Sequence, residues 1–295
     1  MSEITIIRDT DDLRFVHGDT EIGRYRVVDD TIPPVDTPKP YFHPLRTVGG
    51  VTITGFAPAD HPWHHGLEFA FPRVGAHNLW GGGTYFGPER GYVVVDDQGH
   101  IQHDEWTDVD DAESRFSHRL TWSGHDGERL VTEERAHRLS TVTAGATEGW
   151  MLQLDTSLRN ATDTDLLVET PAQRGRVDGG YGGWFLRFAE GFSATTLTGD
   201  GRPIDESGAS AETFVIEGRT ATGEEVTVGM RYGPGSNPGV QRWLYRFEPF
   251  ALAGFAVAYE EGLVIPVNGD LTFSHRIACF DGWVAQDQIS AALRS

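Results

Sequence analysis

The run Trp150-Met151-Leu152-Gln153-Leu154-Asp155-Thr156-Ser157-Leu158 places apolar side chains at every second position, and runs of this kind recur along the chain. Side chains of an extended strand alternate between two faces, so this pattern describes strands with one face buried. Further strands are predicted at Ile4–Ile7, Leu13–Val16, Gly23–Val28, Val51–Thr54, Leu67–Phe71 and Arg115–Trp122. Turn formers separate them: Asp97-Gln98-Gly99, Asp126-Gly127, Asn160-Ala161-Thr162-Asp163 and Asn268-Gly269-Asp270. Many short strands with frequent turns predict an all-β sandwich or barrel. With 36 glycines and 15 prolines long helices are disfavoured. A C-terminal helix over Gln286–Arg294 and a short one near Asp110–Glu113 are the helical candidates. No internal repeat and no Ser/Gly-rich linker divides the 295 residues, which read as one domain over 1–295. The proline-rich Thr31–Lys39 reads as a stiff connection within it.

The formal charge of -20 argues against nucleic acid and anionic membrane surfaces as partners, because both recruit clustered Lys and Arg. No stretch approaches the ~20 apolar residues of a membrane helix, and no signal segment is visible after Met1, so a cytoplasmic location is expected. The single cysteine, Cys279, lies in a strand-like run and is expected to be a buried thiol. The charge-alternating run Thr132–Arg138 is expected to form a solvated strand face.

Chemistry concentrates elsewhere. Five of the 12 histidines (His43, His61, His64, His65 and His77) fall within one stretch. In Asp60-His61-Pro62-Trp63-His64-His65-Gly66 the proline and glycine predict a loop, which feeds the strand from Leu67. On that strand Leu67, Phe69 and Phe71 share one face, leaving Glu68 on the other. Neutral imidazole and carboxylate both move protons and both ligate metals. The candidate catalytic residues are therefore His64, His65 and Glu68, with Glu260 at the end of a later apolar strand. His43, Arg46, His61, His77, Asn78, Trp80, Arg174 and Tyr181 are candidates for binding a polar ligand. Trp80 suits stacking on a sugar ring, and the glycines of Gly81-Gly82-Gly83 allow close backbone approach without matching a nucleotide fingerprint. No cofactor is expected; the alternative is a transition metal held by His61, His64, His65 or Glu68.

Phe42-His43-Pro44-Leu45-Arg46-Thr47, Asp60-His61-Pro62-Trp63-His64-His65-Gly66 and His77-Asn78-Leu79-Trp80-Gly81-Gly82 together resemble the DUF6807 family, also labelled the PmoA family or methane oxygenase. The resemblance runs over nearly the whole chain. It implies carbohydrate catabolism through the sugar oxidoreductases and isomerase-like proteins often found beside family members. A looser similarity to galactose-mutarotase-like proteins implies a large antiparallel supersandwich, in which histidines and a late glutamate work as acid and base. The expected function is a carbohydrate-active enzyme using His/Glu acid-base chemistry on a sugar or oxidised glycoside, of epimerase, lyase or hydrolase type. A metal-dependent oxygenase-like enzyme and a non-catalytic sugar-binding module are the alternatives. The expected partner is a small-molecule carbohydrate; the oligomeric state is left open.

Overall fold

A computed structural model describes residues 4–10, 12–234 and 241–295. Two large antiparallel sheets carry the chain. The first has eight strands in the order Ile4–Arg8, Asp12–His17, Thr20–Arg26, Tyr41–Leu45, Leu67–Ala70, Gly183–Arg187, Leu252–Phe255 and Trp243–Arg246. The second has nine, with Asp270–Asp281, Thr147–Asn160 and Arg129–Ala144 adjacent near its centre. The sheets pack face to face as a β-sandwich, the all-β class that the alternation predicts. Phe69 of the first sheet meets Trp122 and Phe273 of the second with ring centroids 5.9 and 5.7 Å apart, and Trp184 meets His137 at 5.5 Å. One connected cluster of buried apolar side chains includes residues from both sheets.

The short helix Gln286–Ala292 lies where the sequence places it. Its Ile289 and the following Leu293 pack with Met151, Val215 and Phe280 in a second apolar cluster. Cys279 is buried as expected. No helix among the described residues is long and apolar enough to cross a membrane.

Three expectations change. Asp110–Glu113 is not helical: it enters the turn that joins the antiparallel strands His100–Asp110 and Arg115–Ser123, and the Asp110 carboxylate accepts the Glu113 N–H at 3.1 Å. Asx side chains favour such turns by replacing a backbone acceptor. Val51–Thr54 makes isolated bridges instead of a strand, because the Thr54 hydroxyl takes the Leu45 N–H at 2.9 Å. The run Thr132–Arg138 is solvated on one face only, where Glu134, Ala136 and Arg138 are exposed. Glu133, Arg135 and His137 point into the sandwich and are buried. Arg135 donates to the Glu133 carboxylate at 2.6 and 2.8 Å and to the Tyr25 hydroxyl at 3.1 Å, while Trp122 Nε1 donates to Glu133 at 2.7 Å. Residues two apart share a face, so this pair neutralises itself within one strand. Charge alternation alone does not tell which face is inside.

The site-bearing segments cover the outer face of the first sheet. On Gly183–Arg187, Trp184 points into the core, so Phe185 and Arg187 point outward. The loops containing Asp60–Gly66 and Asn78–Gly83 fold over them.

Candidate functional site

A cleft of about 400 Å³ lies on this outer face. Its floor is Phe185, Leu244 and Leu252, and its walls include His61, Trp63, His64, Trp80, Tyr181 and Phe250. The size and the aromatic lining fall in the range of small-molecule sites, ~300–1,000 Å³.

The turn that ends the histidine loop requires Gly66, which has φ +70° and whose Cβ position would lie 2.2 Å from the Phe42 carbonyl oxygen. Within the loop the Asp60 carboxylate accepts from His61 Nδ1 at 2.8 Å and from Arg187 at 3.2 Å. A carboxylate only accepts, so His61 carries its proton on Nδ1 and leaves the Nε2 lone pair free. Burial opposes ionisation of Asp60, but the His61 hydrogen bond and the Arg187 charge outweigh it and hold the carboxyl below its ordinary value. Burial also lowers the His61 pKa, with Asp60 pulling in the opposite direction.

His64 has the complementary arrangement. Its ring stacks on His61 at 4.8 Å and packs on Phe185 at 4.6 Å. Arg187 Nη1 lies 3.4 Å from His64 Nδ1. A guanidinium only donates, so Nδ1 is the acceptor and Nε2 bears the hydrogen. Burial pushes the pKa of His64 well below the imidazole value, and the neighbouring cationic groups act in the same direction. The site thus sets a neutral donor imidazole against one with a free lone pair.

The loop beyond is held by Asn78. Its Oδ1 accepts the N–H groups of Trp80 and Gly81 at 2.9 and 3.0 Å, and its Nδ2 donates to Thr84 at 3.1 Å. Gly82, at φ +65°, lets this loop press on Trp63; a Cβ there would lie 2.7 Å from the indole ring. Trp80 consequently stands 4.9 Å from Tyr181 and 5.0 Å from Phe185. The hairpin strands Thr84–Tyr85 and Tyr92–Val93 place Tyr92 so that its hydroxyl lies 2.7 Å from that of Tyr181.

Of the residues singled out from sequence, His61, His64, Trp80 and Tyr181 line the cleft. His65 and Glu68 lie behind its wall: their side chains are 1% and 0% exposed, and His65 Nδ1 is 3.2 Å from Glu68 Oε2. Lys39 Nζ, fully buried, stands 3.4 Å from the same oxygen and donates to the carbonyls of Thr37, Trp63 and Trp80 at 3.2, 3.4 and 2.9 Å. A cation therefore already faces the Glu68 carboxylate. Lys39 pins the three loops that build the cleft, and burial lowers its pKa against the pull of Glu68. Asn78 shapes the loop from within. His43 bonds Thr54 at 3.0 Å, with burial lowering its pKa to about 4. Arg46 pairs with Glu21, Arg174 with Glu169, and Glu260 with Arg242; none of the three lines the cleft. His77 accepts the His125 N–H at 3.1 Å and lies close to Asp126 and Glu128. Among the described residues this trio, with His77 half-buried and both carboxylates exposed, and not His61, His64, His65 and Glu68, is the group of His and carboxylate donors gathered within 4.8 Å.

Sequence reading does not single out Lys39, Arg187, Tyr92, Arg246 or Phe250. Lys39 and Arg187 sit far from the histidine loop in the chain, and loop packing and strand pairing, respectively, bring them beside it. Asp60 is part of the quoted motif, and its place directly before His61 is the available signal.

The fold and cleft define a β-sandwich protein with an aromatic-walled cleft built on an Asp–His pair and a second, neutral histidine. The chain belongs to DUF6807, a family of unknown function whose model matches residues 12–294. No curated protein matches it. Among solved structures, an α-galactosidase from Lactobacillus brevis aligns with a TM-score of 0.41 and 7% identity, over 97% of this chain and 40% of that one.

Proposed function

We propose that the cleft binds a sugar or oxidised sugar and moves a proton on it, in epimerase or lyase fashion. The observation that carries this reading is the pair of stacked imidazoles with opposite hydrogen-bonding character. His61, oriented by Asp60, offers Nε2 as a base. His64, kept neutral by burial and by Arg187, offers Nε2–H as a donor. A base beside a neutral donor suits abstraction of a proton next to a carbonyl. In that step His61 takes the C–H proton, the electron pair moves toward the carbonyl oxygen, and that oxygen receives the hydrogen of His64. Inversion follows if the enol-level intermediate turns over in the cleft before His61 returns the proton, or if water protonates its opposite face; loss of a neighbouring substituent makes the step an elimination. Hydrolysis of a glycosidic bond ordinarily uses two carboxylates facing the bond. Here the carboxylate on the cleft lining is Asp178, and Asp60 is engaged by His61 and Arg187.

Trp63, Trp80, Tyr181 and Phe250 supply apolar faces for the C–H faces of a sugar ring. The test is a thermal-shift screen of sugars and keto-sugars, followed by NMR of every stabilising compound incubated with the wild type and with His61→Gln/His64→Gln. Conversion by the wild type and none by the double variant is expected. Stabilisation with unchanged ligand spectra in the wild type makes the protein a binding module instead.

A further inference from the structure

The chain has 24 basic residues against 44 acidic ones, so arginines without a carboxylate partner stand out. Two line the cleft: Arg176 and Arg246. Their neighbours behave differently. Arg187 pairs with Asp60 at 3.2 Å, and Arg242 with Glu260. Arg176 donates to the Tyr92 hydroxyl, and its guanidinium lies over the rings of Tyr92 and Tyr181 at 4.8 and 5.9 Å. Arg246 lies over Phe250 at 5.5 Å. Among the described residues neither forms an ion pair.

The two arginines come from separate elements. Arg176 follows the turn Pro171–Arg174, and Arg246 ends the strand Trp243–Arg246. Both act on Tyr181, favouring its ionised form against the burial that pushes its pKa up, and Arg246 also acts on His61. Their positive fields therefore overlap at Tyr181, on the cleft wall. Among the described residues Asp178 is the one acidic residue on the cleft lining, and it is exposed. Both arginines are half-buried and braced on aromatic rings. A guanidinium braced in this way keeps its planar donor fork available for an oxyanion.

We infer that the substrate of the cleft is an anionic sugar, a polyhydroxylated ring or chain bearing a carboxylate or phosphate that Arg176 and Arg246 hold next to His61 and His64. This rests on the reading of the cleft as a sugar site and adds the charge of its ligand. It also accounts for two uncompensated cations in a strongly acidic protein.

Calorimetric titration of the full chain with D-glucuronate, D-gluconate, D-glucose 6-phosphate, D-glucose and inorganic phosphate tests it. At least one sugar anion is expected to bind about tenfold or more tighter than glucose, with affinity falling as salt rises. Preference for glucuronate or gluconate identifies a carboxylate, and preference for the phosphate ester identifies a phosphate. Arg176→Gln and Arg246→Gln should each bring sugar-anion affinity down toward that of glucose measured on the same variant, and Arg246→Lys should restore part of the preference. Thermal midpoints near that of the wild type certify the variants as folded. Equal affinity for glucose and for every sugar anion overturns the inference and leaves the sugar-site reading standing. So does inorganic phosphate binding as tightly as the sugar anions, or a preference that survives both glutamine variants. Binding of no probe at all, neutral or charged, overturns the inference together with the sugar-site reading.

Discussion

The Asp60 carboxylate lies 2.8 Å from Nδ1 of His61, and that contact fixes which nitrogen of the imidazole is free to take a proton. Asp60→Asn keeps the shape and removes the charge. Because Asp60 raises the pKa of His61, the substitution should lower that pKa further, which an NMR titration of the His61 ring reads directly. Turnover of any substrate found in the screen should fall about 10²–10⁴-fold. An unchanged His61 titration would show that Asp60 is not coupled to it.

Much of the fold is legible in the sequence because alternation is a local signal. Ile4–Arg8, Asp12–His17 and Arg115–Ser123 lie close to where period-2 patterning predicts. The site is legible only where its residues are contiguous. The histidine loop announces itself, but Arg187 and Lys39 reach it through strand pairing and loop packing that no short window contains. Glu68 is correctly placed on the face opposite Phe69. What the sequence does not show is that the loops carrying Lys39, Trp63 and Trp80 seal that face, so that the carboxylate meets an ammonium and not the cleft.

Lys39 and Glu68 form an ion pair with both side chains fully buried. Lys39→Met leaves a carboxylate without its cation and should cost about 3–5 kcal/mol, as breaking buried pairs does. Lys39→Met/Glu68→Gln should recover a substantial part of that loss. Urea unfolding of the two variants and the wild type checks this; equal losses in both would mean that the lysine acts through its three carbonyl contacts instead of the pair.

Acid should destabilise the protein well above the carboxylate range. Burial lowers the pKa of His43 to about 4 and that of His275 to about 3, and places those of His64, His118 and His137 well below 6.5. These groups stay neutral when folded and take protons when unfolded. Their contribution is present above about pH 6.5 and is lost as pH falls below it toward the folded values. Each such histidine adds up to about 1.4 kcal/mol per pH unit to the slope. Denaturant midpoints from pH 7 to pH 4.5 should drop steeply; a flat profile between pH 6.5 and 5 would contradict the buried neutral state.

Gly82 sits at φ +65° against the Trp63 ring. Gly82→Ala combines a strained backbone with a collision and should destabilise the protein by about 1–3 kcal/mol. It should also displace Trp80 and weaken ligand binding, while Gly127→Ala, at φ +83° in an open turn, should leave binding unchanged. Ligand titrations of the two variants separate the loop's effect on the cleft from the strain common to both.

In the proposed function His61 and His64 move a proton to and from carbon within the cleft. Incubating the cleft's ligand with the protein in D2O and following its C–H signals by NMR tests this most directly. Deuterium should enter at one carbon beside a carbonyl with the wild type, and enter about 10²-fold or more slowly with His61→Gln/His64→Gln. A ligand that binds in the cleft yet gains no deuterium with the wild type, or gains it equally fast with the double variant, would contradict it.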